Sequence, residues 1–221
     1  MDWSRAVNSY CERTDPGFWS EPVNALTNAA FLLAAFVCWR MVGARRDFGL
    51  ALLCVVLAAI GVGSLLFHTY AQVWAMMADV LPILAFILIY IHLATVRFLG
   101  APFWAGLLAT VFYIPFSAVV ARGVEAVAGP INGSVGYTPV VILLLGYAAI
   151  IRRGSPSTAR GLAVAAAVLC LSLAFRTADA AICAAFPLGT HFLWHLVNGA
   201  LLGGLIVVLA RHDPGEAARA G

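Results

Sequence analysis

Two histidines stand four residues apart in HFLWH, residues 191–195, within a run apolar enough to lie in a bilayer. Burying polar side chains in hydrocarbon costs several kcal/mol unless something compensates. Residues i and i+4 share a helix face, so His191 and His195 offer two imidazoles to one ion. The stretch GSLLFH adds Ser64 and His68, again four apart, and Asp79 stands at the expected start of the next apolar span. Three neutral imidazoles with an open fourth position form a zinc arrangement common in catalytic sites. Zinc lowers the pKa of a bound water toward about 7. In that chemistry Asp79 would orient or deprotonate the water, and Ser64 would hold a carbonyl or steady an oxyanion. HFLWH is not HExxH and supplies no metalloprotease glutamate. The competing reading of a lone membrane histidine is a hydrogen-bonded packing residue. His92, mid-span without an obvious partner, and His212, beyond the last span, are read that way.

The elements that position these residues are legible in the composition. The chain has 221 residues, 63% of them hydrophobic and only 10% charged, against roughly 25% charged in a soluble domain. The apolar excess runs along the whole length, which predicts a single all-α integral membrane domain over residues 1–221. A β-barrel would show short alternating segments instead. At about 20 residues per crossing, seven spans are expected, near 22–42, 49–67, 79–97, 102–121, 137–151, 161–184 and 190–210. The fifth is short as counted and has room to start earlier. Pro82 is expected in the first turn of span three, where proline is tolerated, and Pro115 inside span four as a kink. No cleavable signal peptide is read in the polar first twenty residues.

With seven spans the termini lie on opposite sides. Nine arginines (40, 45, 46, 97, 152, 153, 160, 211, 219) fall toward the C-terminal side and three (5, 13, 122) toward the N-terminal side, with Arg176 inside span six. The positive-inside rule then puts the N-terminus outside and the C-terminus in the cytoplasm. On that topology Ser64, His68, Asp79, Arg176, Asp179, His191 and His195 all gather at the outer end of the bundle. Arg176 and Asp179, three apart, read as an intramembrane ion pair. Asn24 and Asn28, four apart on span one, read as supports for the polar layer. The chain has no lysine, which excludes a retinal protein with its Schiff base and leaves little basic surface for nucleic acid.

The set YCE at 10–12, SEPVNALTN at 20–28, GVGSLLFH at 61–68, Asp79, the DxxxC at 179–183 and HFLWH resembles the alkaline ceramidases. These belong to a superfamily of seven-helix membrane hydrolases that also holds adiponectin-receptor-like and GPI-lipid-remodelling proteins. The resemblance covers nearly the whole chain, in order, with Ser64 and Asp79 fifteen residues apart as in that family. It implies zinc held by His68, His191 and His195, with Ser64 and Asp79 as catalytic partners. The reaction it implies is hydrolysis of the ceramide amide to a sphingoid base and a fatty acid. It also implies an N-terminal calcium site, for which Glu12 and Glu21 match the family glutamates. Ser9 and Thr14 stand where the family pattern has aspartate and asparagine, and Asp15 is the nearest substitute. The competing reading makes both glutamates solvated interfacial acids. The resemblance further pairs Cys11 with Cys183, both on the expected outer side, where an oxidising compartment permits a disulfide. Cys38, Cys54 and Cys170 lie within spans and read as small apolar packers.

The leading expectation is a zinc-dependent lipid amidase acting on ceramide or another N-acyl lipid. It would work in a bacterial-type inner membrane with its site toward the periplasm. The bilayer and its lipid substrate are the partners implied, and no protein partner is inferred. The same chemistry on an ester stays open. A receptor with structural zinc would need a closed four-ligand shell, and no cysteine clearly joins the three histidines. A transporter would call for broken helices in paired repeats, which the chain does not display.

Overall fold

The computed structural model describes residues 2–42, 47–214 and 216 of the chain. It is an all-α bundle: α1 (Pro22–Thr27), α2 (Ala29–Val42), α3 (Phe48–Tyr70), α4 (Val73–Phe98), α5 (Phe103–Ala128), a 3-10 helix over Ile131–Tyr137, α6 (Thr138–Ile151), α7 (Pro156–Ile182) and α8 (His191–Arg211). Counting α1 with α2, and the 3-10 helix with α6, gives seven segments long and apolar enough to cross a membrane. The chain is thus an integral membrane protein with a seven-helix bundle. The fifth span starts at Ile131, earlier than 137.

The expected first span, 22–42, matches the structure, and the start of the third needs correction. The third span starts at Val73, so Pro82 is interior to α4 rather than in its first turn. The first span is interrupted at Asn28. There the Asn28 amide donates to the Asn24 and Ala25 carbonyls (2.8 and 3.4 Å), and the Thr27 hydroxyl to the Val23 and Asn24 carbonyls (2.8 and 3.1 Å). Side chains of this kind compete with the backbone ladder and loosen it.

The core runs through α2, α3, α4, α6, α7 and α8, with Phe31, Leu53, Leu57, Ile60, Phe86 and Ile206 among its buried side chains. Gly63 is where α3 and α4 come closest. A side chain there would collide with the Ala78 carbonyl, so only glycine lets the two backbones meet beside Ser64 and Asp79. α5 stands at the periphery, with Phe103, Trp104, Val111 and Phe112 exposed. On a membrane helix that face meets lipid tails, which are as apolar as the side chains.

The N-terminal segment folds back over one end of the bundle. Its backbone meets the α3–α4 connection, with Val7 N–H donating to Ala71 O (2.7 Å) and Val73 and Trp74 N–H to Arg5 O and Trp3 O (3.1 Å each). A disulfide joins Cys11 to Cys183, just past α7, with Cα atoms 5.3 Å apart. The termini of α1, α3, α4, α7 and α8 beneath this cap carry the polar residues singled out above. Of the arginines assigned to the opposite side, Arg45, Arg46 and Arg219 lie outside the described residues.

Candidate metal centre

Each histidine reaches the cluster from a different kind of helix position. His68 lies in the last turn of α3, one turn after Ser64. His191 opens α8, and His195 follows one turn later. All three are buried, and one ligand atom from each lies within 4.8 Å of the others. The start of α8 is set from α7. The Asp179 carboxylate accepts the backbone N–H groups of Thr190 (2.7 Å) and His191 (2.9 Å) through Oδ1, and that of Cys11 (3.1 Å) through Oδ2. Otherwise unpaired amides at a helix start favour an acid there. Gly189, at φ +67°, turns the chain tightly against that carboxylate.

Arg176 and Asp179 therefore do not form the expected ion pair. Asp179 is spent on backbone N–H groups, which the sequence could not show because all three lie outside α7. Arg176 instead lies over the rings of Tyr10, Tyr137 and Trp194, at 5.7, 5.6 and 5.4 Å. A guanidinium is weakly hydrated and stacks well on aromatic faces.

The outward nitrogens of two histidines are held. His68 Nδ1 meets Glu21 Oε2 at 2.6 Å, and a carboxylate there accepts the Nδ1–H. His195 Nδ1 lies 2.9 Å from Thr27 Oγ1. The single Thr27 hydroxyl hydrogen is directed at the α1 carbonyls, so Thr27 accepts and His195 Nδ1 carries the proton. The Nε2 atoms of both rings are buried without a hydrogen-bond partner. An orphaned buried polar atom is costly, and the three rings are placed so that they could hold one metal ion between them. Partners that fix the ring and tautomer are the usual support of metal-bound histidine. His191 stacks on Tyr10 (centroids 3.5 Å, 16°) and on Trp194 (5.1 Å, 12°).

Ser64 and Asp79 are buried, and Ser64 Oγ and Asp79 Oδ1 also lack partners. Asp79 is within electrostatic reach of His68 and Arg176. Five residues, Ser64, Asp79, His68, His191 and His195, thus converge under one cap, each with a buried side-chain polar atom that lacks a partner. Below them lies a narrow apolar cavity of ≈ 70 Å³, bounded by Phe31, Ile60, Phe86, Tyr90, Trp194 and Leu205 among others. Two of its lining residues, Phe31 and Trp194, stand edge-on to His195. Along α8 its wall runs from Trp194 to Leu205, about 16 Å at the helical rise.

Glu21 is buried and Glu12 half-buried, and both are held by hydrogen bonds within the protein. Glu12 accepts the Val23 and Asn24 N–H groups at the start of α1 (2.7 and 2.8 Å). Burial lifts its carboxyl above the usual range, against the pull of those two N–H groups. Glu21 is 3% exposed and is shared by Arg13, His68 and Asn24. Burial alone would raise its carboxyl, but the His68 and Arg13 hydrogen bonds outweigh burial and hold it below the usual range. Asn24 thus supports the layer through Glu21, whereas Asn28 bonds its own helix. Thr27 and Arg13 escaped sequence reasoning. Thr27 lies three residues after Asn24 on the same helix face, the one signal that pointed to it. His92 packs edge-on to Phe103 and His212 bonds Thr158, both away from the cluster.

No protein-family model matches this chain, and no curated protein matches it.

Proposed function

We propose that this protein is a zinc-dependent hydrolase of membrane lipids, acting on the amide of ceramide or a related N-acyl lipid. The observation that carries this reading is the pair of buried, unpartnered Nε2 atoms of His68 and His195, beside buried His191. Three imidazoles would hold the ion and leave a position for water or substrate, as catalytic zinc sites require. When bound, zinc polarises a carbonyl and makes water a nucleophile near neutral pH. Asp79 Oδ1 takes a proton from the attacking water and returns it to the leaving nitrogen. Ser64 Oγ donates to the developing oxyanion. Glu21 and Thr27 hold His68 and His195 in register. Tyr10 and Trp194 cover His191 and keep bulk water out. The apolar cavity takes the acyl chain, which places the scissile carbonyl at the histidine layer.

In this reading the protein lies in a bacterial-type inner membrane with the histidine end on the periplasmic side. The test is metal content by mass spectrometry on detergent-purified protein, beside a His191→Ala/His195→Ala double variant. About one zinc per chain, lost in the variant, is expected, together with release of fatty acid from N-acyl lipids by the wild type alone. Zinc-free wild type, or a metal-free variant that still turns over, would refute the mechanism. Release from O-acyl lipids only would move the assignment to an esterase.

A further inference from the structure

A buried cation already stands beside the histidine site. Arg13 is 6% exposed although it lies on a largely solvent-facing segment. Its Nε donates to Glu21 Oε1 at 2.5 Å. Nη1 donates to the carbonyls of Asp15 (3.2 Å) and Gly17 (3.1 Å), and Nη2 to those of His68 (3.0 Å) and Thr69 (3.5 Å). All five acceptors are oxygens, one of them a carboxylate. The two α3 carbonyls belong to its last turn, where no helical N–H remains to bond them and the helix dipole favours positive charge.

One carboxylate with several backbone carbonyls is the kind of cage a calcium ion occupies. The residues present do not fit calcium. The guanidinium fills the centre of the cage. Both Glu12 oxygens are held by backbone N–H groups, and both Glu21 oxygens are taken, by Arg13 and His68. Among the described residues neither glutamate belongs to a group of three or more metal-ligating side chains.

We propose that Arg13 is a built-in substitute for a calcium ion: it neutralises Glu21, ties the N-terminal cap to the end of α3, and so positions His68. A guanidinium is always charged and its flat fork of donors matches several oxygens at once, so the chain carries the cation as a side chain and needs no calcium. Arg13 is a positioning residue. Only its last link, to His68 as a ligand, rests on the zinc reading above. The cation replacement itself does not.

The experiment uses the full-length protein in detergent. Wild type should melt at the same temperature in calcium and in a calcium chelator, and should hold no calcium after dialysis against it. Arg13→Ala opens the cage and leaves Glu21 Oε1 without its cation. It should melt lower in chelator, and calcium should restore several degrees to the variant alone. Arg13→Gln, which keeps most of the packing, guards against a variant that fails to fold. With zinc, Arg13→Gln should bind about tenfold more weakly than wild type, and Arg13→Lys should recover part of the loss. Calcium bound by wild type, or variants whose melting ignores calcium, would overturn the proposal. These melting and calcium readouts remain valid if the protein proves to bind no zinc, so the two readings fail separately.

Discussion

Thr27 shows how much chemistry one hydroxyl can decide. Its single hydrogen goes to the α1 backbone, which leaves its lone pairs for His195 Nδ1 and fixes which imidazole nitrogen is free for a metal. Thr27→Val keeps the shape and removes the acceptor. The expected outcome is an intact fold with zinc affinity reduced about 10- to 100-fold, read by competition with a chromophoric chelator. Unchanged affinity would mean that packing alone orients His195. At this scale the ligands were legible because histidine is rare in apolar helices and costly there. Glu21 was legible as a special acid but not in its role, since its partner His68 is 47 residues away. Arg176 was legible as buried, but its three aromatic partners come from three separate segments.

At the scale of elements, the spans could be read because apolar runs of bilayer length admit little else. Their ends could not, because caps depend on partners distant in sequence. Asp47 precedes α3 and accepts the Leu50 N–H (3.1 Å), as an N-cap does, and also Arg97 Nη2 from the end of α4 (2.7 Å). The Arg97 hydrogen bond holds the Asp47 carboxyl below its usual range. A depressed carboxyl contributes stability above its unfolded value, about 3.9, and that contribution is lost as pH falls through the lower folded value. Asp47→Ala should therefore cost about 1 kcal/mol near neutral pH. The melting gap to wild type should close in strong acid. A gap that persists below both carboxyl values would show that the charge is not its source.

At the scale of the whole molecule, the described members of the arginine-rich side, Arg40, Arg97, Arg152, Arg153, Arg160 and Arg211, flank span ends opposite the histidine cluster. The disulfide lies at the histidine end. On these two features we propose an outer histidine layer, since arginine is retained in the cytoplasm and disulfides persist in oxidising compartments. The expected result is that a phosphatase reporter fused after Gly221, active only where disulfides form, stays silent, while the same reporter on the α4–α5 loop is silent too and one on the α5–α6 loop is active. An active C-terminal fusion would invert the topology and place the site on the cytoplasmic face.

The sequence by itself determined the class of the molecule, the number of its spans and the three histidines. Those follow from local quantities: apolar length, the i, i+4 repeat and the rarity of ionisable groups in hydrocarbon. Only the tertiary structure decided what the acids and arginines do. Asp179 holds the start of α8, Glu21 holds His68, and Arg13 fills an oxygen cage. Each role is a hydrogen bond between segments far apart in the chain, and no local pattern records which donor will be within 3 Å of which acceptor once the helices have packed.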